Sequence, residues 1–87
     1  MSDHSTSNHE VTIFLNGGGK LGPFRVAWSK NSPSDIRELS LEYDAFLQGE
    51  RQTRFKFHLH DTYTKASHSI ILDFKSVDAI YDQVLLH

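Results

Sequence analysis

Apolar and polar residues alternate in four stretches of the chain, which is the pattern of a β-strand with one buried face. These stretches cover residues 10–16, 24–29, 53–60 and 68–74. A glycine-rich connection over residues 17–23 joins the first two strands into a hairpin longer than a two-residue turn. A polar turn over residues 61–67 joins the other two. The alternation therefore predicts two antiparallel hairpins.

Elsewhere the apolar spacing changes to three and four residues, as in an amphipathic helix. The first helix is predicted over residues 33–48, with Ser32 as its N-cap, Pro33 in its first turn and Gly49 as its stop. A second helix is predicted after Ser76, which serves as its N-cap. Its apolar stripe consists of Val77, Ile80, Tyr81, Val84 and Leu85.

The predicted order β-β-α-β-β-α gives an α+β fold, a four-stranded antiparallel sheet with both helices on one face. A right-handed crossover predicts the strand order 1-2-4-3, and a meander in the order 1-2-3-4 is the alternative. The first order resembles a permuted ferredoxin-like fold in topology, which implies no function. Residues 1–9 are predicted to be a disordered tail, and residues 10–87 a single domain.

Composition narrows the classes of function that this 87-residue chain can have. It contains no cysteine, which excludes a disulfide scaffold, a zinc ribbon, an iron–sulfur site and a thiol enzyme. No apolar run approaches the ~20 residues that span a bilayer, and the polar N-terminus is unlike a secretory signal. We therefore expect a cytoplasmic protein. The net charge of −2 argues against general coating of nucleic acid.

The third strand carries the main candidate site. Period two places Arg54, Lys56, His58 and His60 on one face, about 6.5–7 Å apart along the strand. The predicted helices are acidic, so we expect a basic sheet face opposite an acidic helix face. The alternative to a binding surface is that these residues only form a solvated strand face and have no binding role. The predicted partner-binding residues are Phe14, Arg25, Arg54, Lys56, His58 and His60.

Other chemistry has less support. His58, His60, Asp61 and His68 could form a metal site, since a catalytic zinc needs three protein ligands. The two permanently charged cations on the same face would repel a metal, so no metal and no cofactor is predicted. The loop 16–22 lacks the P-loop spacing and is followed by a strand. No nucleophile elbow or acid–base pair is evident, so no enzyme activity is predicted.

Three hypotheses for function remain. The first is a small non-enzymatic protein-binding module, of the inhibitor, immunity or adaptor type, which docks by charge on an acidic patch of another protein. The second is a nucleic-acid-contacting module that uses the basic sheet face. The third and least favoured is a metal-dependent or small-ligand enzyme, in the first case with a His-based metal site. The open sheet face and the sheet edges also predict a homodimer, through strand 1 or the open face.

Overall fold

The computed structural model describes residues 7–28, 35–49 and 51–85 of the chain. Two short 3-10 turns, Asn16–Gly18 and Phe74–Ser76, connect strands that are adjacent in sequence. The described strands form a three-stranded antiparallel sheet of order β2-β1-β5 and a separate β3–β4 hairpin. The elements are β1 (Ser7–Leu15), β2 (Lys20–Trp28), α1 (Ile36–Leu47), β3 (Arg54–Asp61), β4 (Ala66–Asp73) and β5 (Val77–Leu85).

The predicted four-stranded sheet with two helices on one face is wrong. The segment after Ser76 is the strand β5 and not a helix, and β5 pairs with β1 from the other end of the chain. The β3–β4 hairpin does not join that sheet, so neither the order 1-2-4-3 nor the meander occurs. The topological resemblance to a permuted ferredoxin-like fold is lost with them. Because β1 is the central strand, it is also not the edge through which a homodimer was predicted.

A β-bulge explains why the last segment has helical spacing. Leu15 pairs with Val77 but Phe14 pairs with Ala79, so β5 contains one extra residue between the two pairs. Such an extra residue shifts the phase of the alternation. As a result, Val77 is buried and Ile80, three residues later, also packs against the core. The β-branched and aromatic residues of this segment favour a strand as well.

The strands β2, β3 and β4 follow the predicted alternation, with shifted ends, whereas in β1 three successive residues, Val11, Thr12 and Ile13, are all buried. Phe57 and Leu59 of β3 and Leu72 of β4 are buried, and Phe55 and Ile70 are half-buried. β1 begins at residue 7, so residues 7–9 of the predicted tail lie in the sheet. β2 begins at residue 20 and not at residue 24, so the glycine-rich connection is a short turn.

One hydrophobic core joins both sheets and α1. Phe74 lies among aromatic rings of the core, with centroid distances of 5.5 Å to Tyr43, 5.6 Å to Phe46 and 6.2 Å to Phe55. The buried Tyr43 hydroxyl donates a hydrogen bond of 3.0 Å to the Val77 carbonyl. Burial, with a smaller contribution from the charge of a neighbouring carboxylate, raises the pKa of Tyr43. This cluster ties the helix to the start of β5.

Helix α1 occupies most of the predicted range. It ends at Leu47, and Gly49 follows with a φ of 104°, a left-handed conformation that glycine adopts without strain. The predicted N-cap Ser32 and the predicted first-turn residue Pro33 lie outside the described residues. Among the described residues, no helix has the length and apolar character needed to cross a membrane.

Candidate functional site

The outward side chains of β3 and β4 form one continuous surface, which we call the hairpin face. The structure confirms that β3 directs its apolar residues inward and leaves its basic and imidazole side chains exposed. The alternate residues of β4 lie beside them on the same side of the hairpin. The hairpin face consists of Arg54, Lys56, His58, His60, Ser67, Ser69, Ile71 and Asp73.

An exposed apolar residue lies in the middle of this charged surface. Ile71 is 68% exposed and pairs directly with Lys56 across the hairpin. Arg54, one position along the same face, is opposite Asp73. Directly opposed residues have Cβ atoms about 4.5–5.5 Å apart, close enough for their side chains to interact. Within the described residues, neither of the two cations forms an ion pair within 4.0 Å.

The imidazoles occupy the other half of the hairpin face. His60 is opposite Ser67, and its Nδ1 lies 3.1 Å from the serine Oγ. The backbone N–H of His58 donates a hydrogen bond of 2.9 Å to the Asp35 carboxylate. This hydrogen bond attaches the start of α1 to the outer edge of β3. It therefore places an acidic side chain at the border of the hairpin face.

The two remaining predicted site residues lie on a different surface. Phe14 is on β1 and Arg25 on β2, so both belong to the three-stranded sheet. Arg25 pairs with Glu10, with 3.5 Å between Nη2 and Oε2, and its guanidinium carbon lies 5.9 Å from the centre of the Tyr63 ring. The structure therefore divides the predicted site in two, because the sheet that was expected to unite these residues is not formed.

A cleft of about 270 Å³ adjoins Arg25. It is smaller than the ~300–1,000 Å³ of typical ligand pockets. The Arg25 guanidinium already interacts with the Glu10 carboxylate and the Tyr63 ring. The Asp61 carboxylate accepts hydrogen bonds within its own turn. The cleft is accordingly weak as a ligand site. It is lined by Glu10, Pro23, Arg25, Asp61, Tyr63 and Thr64.

Asp61 organises the turn between β3 and β4. Its buried carboxylate accepts backbone N–H groups of Tyr63 at 2.9 Å and Thr64 at 3.3 Å. Burial alone raises the pKa of a carboxyl group. These two hydrogen bonds have the opposite effect, as do another from the Arg25 backbone and one from the Thr64 hydroxyl. Together they outweigh burial, so the pKa of Asp61 is lowered. The adjacent N–H of Thr62 donates to the Arg25 carbonyl at 2.7 Å, which joins the hairpin to β2.

The four residues of the metal hypothesis do not converge. His58 and His60 are on the hairpin face, whereas His68 is half-buried on the inner side, 5.0 Å from the Phe24 ring. The Asp61 carboxylate is occupied by its turn. In the described part of the chain, no group of three or more potential ligand side chains could hold a metal ion.

Sequence reasoning missed two exposed features for different reasons. Alternation is sufficient to place Ile71 on the outer face. Its position opposite Lys56 depends on the register of the hairpin, which alternation does not determine. Tyr81 was assigned to a helical stripe and is instead exposed on β5, opposite Thr12.

Comparisons with known protein families, with curated proteins and with solved structures found no match to this chain.

Proposed function

We propose that this protein is a small non-enzymatic binding module, of the inhibitor, immunity or adaptor type, which docks its hairpin face on an acidic patch of another protein. One observation carries the proposal: Ile71, 68% exposed, lies opposite Lys56 in the centre of a surface with basic residues on its β3 side. Protein interfaces commonly surround an apolar centre with a polar and charged rim. Arg54 and Lys56, which form no ion pair among the described residues, would attract an acidic partner and orient it before contact.

The composition of the hairpin face favours a protein over a nucleic acid. Sheet surfaces that bind single-stranded nucleic acid stack bases on aromatic side chains. The outward residues of β3 and β4 include no phenylalanine, tyrosine or tryptophan, and their only rings are the imidazoles of His58 and His60. Nucleic-acid binding is therefore an outcome for the experiment to exclude.

The experiment compares partner capture by three forms of the chain. The test variant combines Arg54→Glu and Lys56→Glu, which reverses both permanent positive charges of the hairpin face. The control combines Lys20→Glu and Arg37→Glu, which makes the same charge change at exposed positions of β2 and α1. Circular dichroism verifies the fold of each variant. Captured proteins are identified by mass spectrometry, with and without nuclease treatment of the lysate.

We expect a specific acidic protein that wild type and control capture and the test variant loses. The loss should shrink at high salt, because exposed charges are then screened. A second variant, Ile71→Ser, should weaken capture without changing the net charge. Equal capture by all forms would contradict the proposal, and capture that disappears after nuclease treatment would indicate a nucleic-acid target.

A further inference from the structure

Strand β5 lies at an edge of the three-stranded sheet. It is nine residues long, about 30 Å, and among the described strands its only neighbour is β1. The Tyr43 hydroxyl caps the Val77 carbonyl at its start. Edge strands present unpaired N–H and C=O groups and readily accept a further strand.

The outer edges of β2 and β3 are partly covered, whereas the described residues place no further strand beside β5. The Arg25 carbonyl of β2 accepts the Thr62 N–H at 2.7 Å, and the His58 N–H of β3 donates to Asp35 at 2.9 Å. Charged side chains, proline and bulges commonly protect edge strands. β5, with the sequence VDAIYDQVL, contains no lysine, arginine or proline, and its protection is limited to two aspartates and to the bulge at its start.

We propose that two copies of this chain pair β5 with β5 in an antiparallel, two-fold symmetric manner. The two three-stranded sheets then become one continuous sheet. The proposal is independent of the proposed function, because the hairpin face belongs to the other sheet. It also replaces the earlier expectation of pairing through strand 1.

Charge repulsion selects one register for this pairing. In a two-fold antiparallel pair, one residue must lie opposite its own copy. A centre at Asp82 opposes two like charges, and a centre at Ile80 places Asp78 opposite Asp82 twice, both of which are unfavourable. A centre at Tyr81 pairs Ala79 with Gln83 and Ile80 with Asp82, beyond the bulge at Asp78, so that no two carboxylates are opposed.

This register also covers exposed aromatic surface. Tyr81 is 54% exposed and Phe14 is 40% exposed. Tyr81 pairs with Thr12 and Phe14 pairs with Ala79, so the two rings are diagonal neighbours on the same face of the sheet. At the two-fold axis Tyr81 meets Tyr81 of the second copy. The dimer thus gains an aromatic stripe across its centre, and aromatic cross-strand pairs stabilise antiparallel sheets.

Sedimentation at a series of micromolar concentrations tests the pairing. The 10.0 kDa chain should form a species of twice that mass that dissociates on dilution. Tyr81→Lys should raise the dimer dissociation constant about fivefold or more, because it places like charges directly opposite each other. Ile71→Lys, a similar change at an exposed position of β4, should leave it unchanged. A mixture of Tyr81→Lys and Tyr81→Glu should restore the dimer, because opposite charges then meet at the axis.

Engineered cysteines test the register, since the chain has no cysteine of its own. Under mild oxidation, Tyr81→Cys should cross-link to its own copy, and a mixture of Ala79→Cys and Gln83→Cys should cross-link more than either alone. Ile71→Cys should form no cross-linked species. A wild-type chain that sediments as a monomer at every concentration overturns the proposal. So does dimerisation that Ile71→Lys abolishes and Tyr81→Lys does not.

Discussion

Replacement of Asp61 tests the structure at the point where the two sheets are joined. Asp61→Ala removes a buried carboxylate that accepts hydrogen bonds from the backbone of Tyr63, Thr64 and Arg25. A hydrogen bond to a charged group contributes about 1.5–3 kcal/mol. We therefore expect a loss of about 2–4 kcal/mol in the free energy of unfolding, because these backbone N–H groups lose a charged, buried acceptor.

Urea unfolding followed by circular dichroism at neutral pH measures this loss. The matched control is Asp73→Ala, which removes an exposed aspartate that accepts one backbone hydrogen bond of 3.0 Å from Lys75. That variant should lose about 0.5–1 kcal/mol, as for the removal of a capping side chain. Equal losses in the two variants would show that the Asp61 carboxylate does not hold the sheets together, and would refute the reasoning.

The pH dependence of the free energy of unfolding provides a second test of the Asp61 carboxylate. The pKa of Asp61 is lower in the folded protein than in the unfolded chain, so its stabilisation is complete above the unfolded value of ~3.9. The stabilisation is lost as the pH falls through the folded pKa. The difference in stability between wild type and Asp61→Asn should thus be constant above pH ~5 and decrease below pH ~4. A difference that stays the same down to the lowest pH would contradict this account.

Three further outcomes are expected. Tyr43→Phe should reduce the free energy of unfolding by about 1–2 kcal/mol in urea, because the buried Val77 carbonyl loses its donor. Phe57→Ala should reduce it by about 3–5 kcal/mol, since the ring is fully buried, and a loss below that of an exposed phenylalanine would disprove its core position. Capture of an acidic partner should weaken in the combined His58→Gln and His60→Gln variant, because both imidazoles lie on the hairpin face beside the two cations.

The alternation in β3 and β4 was sufficient to predict their buried and exposed faces, because period two is a local property of the backbone. Phe57 and Leu72 are buried, and Lys56 is exposed, as expected. Helix α1 was predictable for the same reason, from apolar residues that recur every three or four positions. In these elements, burial of one face and local propensity favour the same conformation.

The last strand could not be predicted from local pattern. Its apolar residues have helical spacing because the bulge between Val77 and Ala79 shifts the alternation. Its partner is β1, more than 60 residues away in sequence, and no short-range signal indicates such a pairing. With β5 on one side of β1 and β2 on the other, these three strands form one sheet, and the β3–β4 hairpin forms a separate one. The error in one element thus changed the sheet order and the location of the predicted site.

That error has a direct consequence for the surfaces available to partners. A helix after Ser76 would have been covered on its apolar side, whereas the strand that forms instead leaves Tyr81 exposed and an open edge beside it. The hairpin face, in contrast, depends only on local alternation, so it is formed even though the fold differs from the predicted one. The two surfaces belong to different sheets, so pairing through β5 leaves Ile71 and Lys56 accessible. A symmetric dimer would then carry two hairpin faces, and two-site binding strengthens attachment to a partner without any new contact.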